Sequence, residues 1–352
     1  MRLVLSGVDS LVIGWSGTVD PDLMRHLKAV KDVIGAGTNP GPVEAGGWTW
    51  NVMPKARPFY QVGMSDSEGR VILFLSDAPG GHPTFYVRLL SQWLWEVGPD
   101  RAVDEVRELC RRLTVDGELT GETVSRIDLA TDWEELPIPD PAHRVCRSRR
   151  WWVYGEGHAV TGLQFGKGAV VARVYDKTLE AAANKPWFYR LWWPEEGENP
   201  DPAGRQVTRV EFQLRRDILR EAGLSTWEEV RACLADLWRY LTTEWLSFRD
   251  PASDDRPSRR RVWEWWVTVS HVREWLTDRM APFIRQLARK VRREHVLKTA
   301  RGYLVSLGAL QLGRQLAELA MDLVMSFAPG EFERLRWERA VRFGVVPEGV
   351  AG

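Results

Sequence analysis

The segment VVARVYDKTLE, Val170–Glu180, is the part of the sequence around which we interpret the rest. In a β-strand, alternation places Arg173, Tyr175 and Lys177 on one face and small apolar residues on the other. Neighbouring positive charge favours the phenolate, which is the nucleophilic form of a tyrosine, and also attracts phosphate. The segment therefore predicts one of two things: a tyrosine that attacks phosphate, or a core tyrosine between two solvated cations.

Two other segments are built in the same way, with one apolar and one charged face. VSRIDLATDW, Val124–Trp133, places Asp128 and Asp132 on its charged face, and VTRVEFQL, Val207–Leu214, places Glu211 on its own. Aspartate is disfavoured in strands, so two on one strand face need a reason. One possible reason is that the segment is an edge strand with a solvated face, and the other is that the aspartates belong to a functional site.

The three strands would form such a site if they were neighbours in one sheet, because their charged faces would then coincide. Asp128, Asp132 and Glu211 would lie beside Tyr175. Clustered carboxylates repel one another unless a cation offsets them, and hard oxygen ligands suit Mg²⁺ or Mn²⁺. The spacing is equally compatible with a set of surface salt bridges.

The remaining pattern up to residue 250 predicts an α+β fold, an antiparallel β-sheet covered by helices. Short strands are predicted at Phe59–Met64, Val71–Ser76 and Thr84–Leu90, separated by turn signals. Asp20 and Pro21 begin a helix as N-cap and first helical residue. Residues 36–57, rich in Gly and Pro, are predicted to be a loop.

Two further features are predicted between residues 181 and 250. Residues 181–206 contain a cluster of aromatic residues and are predicted to be an ordered insertion. Thr226 and Glu229 form a capping box that begins a helix.

Residues 1–250 are therefore predicted to be a catalytic domain, and residues 251–352 a mainly helical DNA-binding or accessory region. The polar segment Asp250–Arg261 separates them. From Arg256 to Arg301 there are 13 Lys and Arg against 4 Asp and Glu. Because arginine forks onto phosphate, this excess predicts salt-dependent DNA binding, and a solvated helix face is the alternative.

Composition narrows the class of protein. The formal net charge is zero over 352 residues, so the chain is not a uniformly basic nucleic-acid coat. The sequence shows no signal peptide pattern and no apolar run long enough for a bilayer, and its three cysteines are far apart. We therefore expect a cytoplasmic protein with no membrane partner. There is no H-x-H pair and no G-x-x-x-x-G-K-[ST] motif, which disfavours a histidine-ligated nuclease and a helicase motor.

The motifs R-I-D-x-A-x-D, R-V-Y-D-K-x-x-E and R-V-E-F-x-L-R, in this order, resemble the replication initiation factor family. That family includes Rep_trans-type rolling-circle replication initiators and related relaxases of plasmids, phages and integrative elements. The resemblance covers roughly residues 3–250. It implies a site-specific DNA nicking and joining enzyme that keeps the 5′ end of the cut strand as a phosphotyrosine.

The resemblance also implies roles for residues. Tyr175 matches the nucleophile, with Arg173 and Lys177 as catalytic neighbours, and Asp128 and Glu211 match the ligands of Mg²⁺ or Mn²⁺. Weaker matches to the acidic residues are Asp132 and Glu180. The turn before the tyrosine strand reads Gly166-Lys167-Gly168, where many relatives have Gly-Ser-Arg, so no arginine role is transferred there. The DNA contacts expected are Arg126, Lys167, Arg209, Arg259, Arg260 and Arg261.

The partners that follow are origin DNA, both as duplex and as an exposed single-stranded nick site, and a host helicase and polymerase. A homodimer is compatible with this function. Two alternatives remain from the sequence. One is a conjugative relaxase of an integrative element, and the other is a non-catalytic DNA-binding protein on the same fold.

Overall fold

The computed structural model describes residues 1–38, 40–77, 80–197 and 200–272. Its central feature is an antiparallel sheet, which the described residues build from eleven strands. Helices lie against this sheet, so the predicted α+β class is confirmed. The strands are β1 Arg2–Ser16, β2 Val43–Ala45, β3 Trp48–Val52, β4 Val62–Asp66, β5 Val71–Leu75, β6 Phe85–Leu89, β7 Thr120–Glu134, β8 Arg144–Cys146, β9 Trp151–Glu156, β10 Ala159–Phe165, β11 Val170–Asp176, β12 Val207–Arg215 and β13 Leu246–Phe248.

The strand order in the sheet is β2-β3-β4-β5-β6-β1-β7-β12-β11-β10-β9, and β8 pairs separately with β13. The helices are α1 Pro21–Gly35, α2 Ser91–Val97, α3 Pro99–Arg112, α4 Lys177–Asn184, α5 Phe188–Trp192, α6 Arg216–Glu221, α7 Trp227–Arg231, α8 Leu234–Tyr240 and α9 Glu264–Ser270. Turns of 3₁₀-helix occupy Pro141–His143 and Pro194–Glu196, and a π-helical turn follows α8.

One face of the sheet is the main apolar core. Phe212 on β12 packs edge-on against Trp238 of α8, with ring centroids 5.5 Å apart. Phe248 of β13 packs against Phe165 of β10 at 5.9 Å and against Trp266 of α9 at 5.0 Å. Because residues on both sides of position 250 share this core, α9 is packed with the sheet domain. The opposite face, here called the polar face, carries Asp128, Arg173 and Glu211 of the three central strands.

The aromatic insertion between β11 and β12 is ordered, as predicted. Phe188, Trp192 and Trp193 are buried in a cluster of their own. The cluster packs against Val4 and Leu5 of β1. It therefore supports the polar face of the sheet at the end where the tyrosine strand β11 finishes.

Two sequence predictions on local structure were wrong. Residues 36–57 are not simply a loop, because β2 and β3 form a hairpin there around Gly46 and Gly47, which have φ of 61° and 81°. Those left-handed angles suit glycine and close the turn. The helix predicted from the capping box at Thr226 and Glu229 does begin there, but it divides into α7 and α8.

The predicted C-terminal helices beyond Val272 lie outside the described residues. Among the residues that the structure does describe, no helix is long and apolar enough to cross a membrane.

Candidate functional site

The three strands with charged faces are neighbours, as predicted, with β12 between β7 and β11. In the register, Gln213 lies opposite Asp128, and Glu211 lies opposite Arg173. Residues directly opposite in antiparallel strands share a face. Asp128, Glu211 and Tyr175 therefore share the polar face, with Glu211 two residues and Tyr175 four residues further along the strands than Asp128.

The Tyr175 hydroxyl lies among three charged groups. It is 3.1 Å from Glu180 Oε2 and 3.2 Å from Glu211 Oε2, so it donates its proton to one carboxylate at a time. Lys177 Nζ is 3.5 Å away and donates to Glu180 Oε2 at 2.6 Å. The hydroxyl thus already has two candidate proton acceptors.

A helix cap produces this arrangement. The strand ends at Asp176, whose Oδ1 accepts hydrogen bonds from the backbone N–H groups of Thr178 and Leu179 and so begins α4. The chain turns at that point, which brings Lys177 and Glu180 back towards Tyr175. Lys177 is therefore a helix residue with a side chain only 1% exposed, and not a residue of the strand face as predicted.

The pKa of Tyr175 is raised well above its ordinary value. Burial is the largest cause, and the charge on Glu211 adds to it, while Arg209 opposes it. The expectation that neighbouring cations would make this tyrosine a phenolate was therefore wrong for the protein alone. The phenol is neutral at pH 7 and needs a base to act as a nucleophile.

Burial acts in opposite directions on the pKa values of Lys177 and Glu180, the two groups beside the Tyr175 hydroxyl. Burial lowers the pKa of Lys177, and the charge of Arg209 lowers it further. Burial by itself would raise the pKa of Glu180, but Lys177 and Lys185 hold it at about 2. Glu180 is therefore ionised and accepts hydrogen bonds at neutral pH.

Both carboxylates predicted as metal ligands are paired with arginines. Asp128 accepts hydrogen bonds from Arg126 on both oxygens, one of them at 2.8 Å. Glu211 Oε1 accepts from Arg173 at 2.7 Å. In the protein without a ligand, these carboxylates therefore form salt bridges, which is the alternative that the sequence left open. Arg126 and Arg173 are partly exposed and line the same cavity.

Two buried polar atoms next to Asp128 indicate that the site has room for a further group. Asp128 lies between two residues of the neighbouring strands: Ser10 of β1 is opposite it on one side, and Gln213 of β12 is opposite it on the other side. Ser10 Oγ and Gln213 Nε2 are buried side-chain atoms for which the described residues offer no hydrogen-bond partner. Such orphaned atoms usually indicate an ordered water: Gln213 Nε2 is a donor and suits a water or phosphate oxygen, whereas Ser10 Oγ can also face a cation.

A divalent cation fits this place. Burial raises the pKa of Asp128 to about 6, and the charge of Glu211 also raises it, so the two carboxylates repel each other. Within the described ranges, no cluster of three or more His, Cys, Asp or Glu side chains is arranged to hold a metal. Mg²⁺ is commonly held by one or two carboxylates together with substrate phosphates and water, so Asp128 and Glu211 are the side chains that could hold it here.

Asp132 has a different environment from the one predicted. Its oxygens accept hydrogen bonds from Arg209 at 2.6 and 2.7 Å and from Trp192 at 2.8 Å. Arg209 is 0% exposed and also donates to Asp9 at 2.6 Å. The predictions of Asp132 as a metal ligand and of Arg209 as a DNA contact are therefore wrong. Both residues belong to a buried ion-pair cluster with Asp9.

Sequence reasoning missed Asp9. A β-bulge between Val8 and Ser10 makes Asp9 an extra residue, so Asp9 and Ser10 both line the cavity on the polar face. The available signal was an Asp-Ser pair inside an otherwise apolar strand. Burial by itself would raise the pKa of Asp9, but Arg209 and Lys177 hold it well below its usual range.

The remaining predicted DNA contacts do not meet at Tyr175. Lys167 is exposed in the turn at the other end of β11, at least about 17 Å along the strand from Tyr175. Arg259, Arg260 and Arg261 lie between β13 and α9, two elements of the apolar-face core. Of the predicted contacts, Arg126 is the one that lines the cavity.

The cavity has a volume of about 880 Å³ and opens on the polar face of the sheet. Its lining includes Asp9, Arg126, Asp128, Tyr154, Arg173, Tyr175, Lys177, Glu180 and Glu211. A half-buried, hydrogen-bonded tyrosine hydroxyl, carboxylates and partly exposed arginines thus face one space. Such a space suits a phosphate-containing substrate.

We expect Asp128→Asn to stabilise the metal-free protein at pH 8 by roughly 1–2 kcal/mol. The folded-state pKa of about 6 lies above the ordinary 3.8. The stability that protonation of Asp128 contributes is therefore complete below pH 3.8 and lost as the pH rises through 6. Urea denaturation in EDTA at pH 5 and pH 8 tests this, with exposed Asp217→Asn as control. A gain larger at pH 5 than at pH 8 would contradict the prediction.

Similarity to known proteins is found among solved structures. No family model and no curated protein matches this sequence. The chain is similar to a rolling circle replication initiator protein from Geobacillus stearothermophilus at 16% identity and a TM-score of 0.43. The match covers 75% of this chain and 94% of that chain. The proposals below rest on this chain's own residues.

Proposed function

We propose that this protein is a metal-dependent DNA nicking and joining enzyme of the rolling-circle initiator type, with Tyr175 as its nucleophile. The observation that carries the proposal is the position of the Tyr175 hydroxyl, within 3.2 Å of two carboxylates and on the cavity that also holds Asp128. Activation of a nucleophile by an adjacent base within hydrogen-bond reach is the general arrangement for covalent catalysis.

The proposed reaction is a transesterification at one phosphodiester. The Tyr175 oxygen attacks the scissile phosphorus, and its proton passes to Glu180 or Glu211. The bond from phosphorus to the 3′ oxygen breaks, and that oxygen takes up a proton and leaves as a free 3′-OH. The 5′ end stays on the enzyme as phosphotyrosine, and joining is the reverse attack by a 3′-OH.

Asp128 and Glu211 would hold the cation, with Ser10 Oγ close by. Bound there, Mg²⁺ or Mn²⁺ would supply Lewis-acid polarisation of the phosphoryl oxygens. Arg126 and Arg173 pair with these carboxylates in the protein alone and line the cavity. Their role in the proposal is to turn to the phosphate when the carboxylates bind the cation, which replaces one charged hydrogen bond with another.

Origin DNA is the substrate in this proposal. The sequence has no P-loop motif, so strand separation would be left to a partner helicase, and the free 3′-OH would be extended by a host polymerase.

The test is a search for a covalent adduct. The full chain is incubated with supercoiled DNA from its own genetic element and Mg²⁺ or Mn²⁺, and then denatured. We expect open circles and a protein–DNA species that survives denaturation, both dependent on the metal. Binding of the duplex with no adduct under either metal would overturn the proposal.

We expect Asp128→Ala and Glu211→Ala each to remove metal-dependent nicking and to leave duplex binding largely unchanged, because phosphate and base contacts carry affinity. Conversion of supercoiled to open-circle DNA across a metal titration measures the first effect, and gel shift measures the second. Glu156→Gln, which also lines the cavity, is the matched control. Nicking at the wild-type rate in either alanine variant would show that the residue is not a ligand.

A non-catalytic DNA-binding protein is the second candidate. The observation that favours it is the pairing of both carboxylates with arginines, which leaves the protein self-consistent without a cation. It predicts metal-independent binding and no adduct, so the same assay separates the two functions.

A further inference from the structure

β9, at the edge of the sheet, carries exposed aromatic residues. Its sequence is WWVYGE, and all six residues are exposed. Trp151, Trp152 and Tyr154 are 39%, 38% and 50% exposed. Exposed aromatic side chains grouped on one strand are unusual for a solvated surface and indicate an interaction site.

Two of these rings belong to the polar face of the site. Trp152 lies opposite Gln164, and Tyr154 lies opposite Gly162, which in turn lies opposite Tyr175. Trp151 lies opposite buried Phe165 and therefore belongs to the other face. Neighbouring tryptophans of equal exposure thus point to opposite sides of the sheet.

The row Tyr154, Gly162 and Tyr175 places a glycine between two tyrosines. Their strands are two spacings apart, about 10 Å. The residue between them has no side chain, and a Cβ on Gly162 would meet Tyr175 Cβ at 2.8 Å. Tyr154 also lines the cavity that contains Tyr175. Gly162 therefore allows Tyr175 to pack closely beside it, and the exposed ring of Tyr154 lies on the next strand at the rim of the same cavity.

Cations lie at the other end of the same strand. Arg149 and Arg150 precede β9, and Gly166 N–H donates to Arg150 O at 2.9 Å, which places the Lys167 turn beside them. All three side chains are exposed, and within the described ranges none forms an ion pair. A strand with a basic end and exposed rings leading to the nucleophile has the composition of a single-stranded nucleic-acid track.

We propose that Trp152 and Tyr154 stack on the bases of single-stranded DNA next to the scissile phosphate, and that Arg149, Arg150 and Lys167 bind the phosphates of the same strand. This rests on the proposed function for the position of the scissile phosphate. Single-stranded DNA is the occupant because rings offer a surface only to unstacked bases, and because the basic end complements its backbone. A second copy of this chain paired along β9 is the competing occupant.

The test uses the full chain with Tyr175→Phe, so that no adduct forms, in EDTA. The probe is a fluorescein-labelled oligonucleotide of mixed sequence, roughly 20 nucleotides long so that it exceeds one site size. The second probe has the same length but is abasic, and it keeps the phosphates. We expect Trp152→Ala and Tyr154→Ala each to weaken binding of the first probe by at least about five-fold and to leave the second unchanged.

Trp151→Ala is the matched control, since it removes an equally exposed tryptophan from the other face. We expect it to change neither Kd by more than about two-fold. Equal losses in all three variants, or losses that persist on the abasic probe, would overturn the assignment. So would a change from dimer to monomer by light scattering in the alanine variants, since that outcome makes β9 an interface between copies.

The two proposals fail separately. If the wild-type chain forms no adduct but the Trp152 and Tyr154 pattern holds, nicking is wrong and stacking stands. If the adduct forms on Tyr175 and the pattern is missing, only the stacking proposal is wrong.

Discussion

Tyr175→Phe is expected to abolish the covalent DNA adduct and all nicking, while changing the free energy of unfolding by only about 1 kcal/mol or less. Phenylalanine keeps the ring and its packing and removes the oxygen that would bond to phosphorus, so no covalent intermediate can form. The stability cost is small because the hydroxyl donates one hydrogen bond at a time. The measurement is peptide mapping of the adduct on a single-stranded oligonucleotide that carries the nick site.

The matched control for this loss is Tyr60→Phe, which removes a hydroxyl far along the sheet and should leave adduct formation unchanged. DNA attached to Tyr154 or Tyr189, or an adduct that persists in Tyr175→Phe, would identify a different nucleophile.

Arg209→Met is expected to lower the free energy of unfolding by about 3–5 kcal/mol. Arg209 is fully buried and pairs with Asp9 and Asp132, so its removal leaves two buried carboxylates without their ion-pair partner. Urea denaturation measures the change. Arg101→Met is the control, since it breaks an exposed ion pair with Glu105 and should cost less than about 1 kcal/mol.

The loss in Arg209→Met should depend on pH in a defined direction. Without Arg209, the burial that acts to raise the pKa of Asp9 loses the largest charge that opposes it, so the folded-state pKa of Asp9 rises. Stability that comes from protonation is then present at low pH and lost as the pH rises. We therefore expect a smaller deficit at pH 5 than at pH 8, and Asp132→Asn added to Arg209→Met should recover part of it. A deficit that does not depend on pH would show that the carboxylates are not responsible.

Local pattern was enough for much of the fold. Period-two alternation predicted β7, β11 and β12; β7 and β12 extend beyond the predicted bounds by one to four residues, whereas β11 ends at Asp176, before Lys177. The capping residues Asp20 and Thr226 mark helix starts as predicted. These features depend on contacts within a few residues, which a sequence displays directly. The β2–β3 hairpin was missed because glycine-rich segments are compatible with both a loop and a tight turn.

The candidate site was predictable only in part. Asp128, Tyr175 and Glu211 were predicted to share a face, and they do. Asp132 also lies on that face, but whether its oxygens are available depends on Arg209, 77 residues away. Glu180 reaches the hydroxyl because Asp176 ends the strand and caps a helix, which alternation does not indicate.

The sequence by itself determined which strands have one charged face, since side-chain alternation follows from strand geometry alone. Three aspects were decided only by the tertiary structure. The first is the place of β12 between β7 and β11. The second is the β-bulge that directs Asp9 towards the cavity, and the third is the burial that raises the pKa of Tyr175. Strand order, register and desolvation come from contacts between residues far apart in the chain. The pairing of each carboxylate with its arginine, and the close approach of Gly162 to Tyr175, exist only once those contacts have formed.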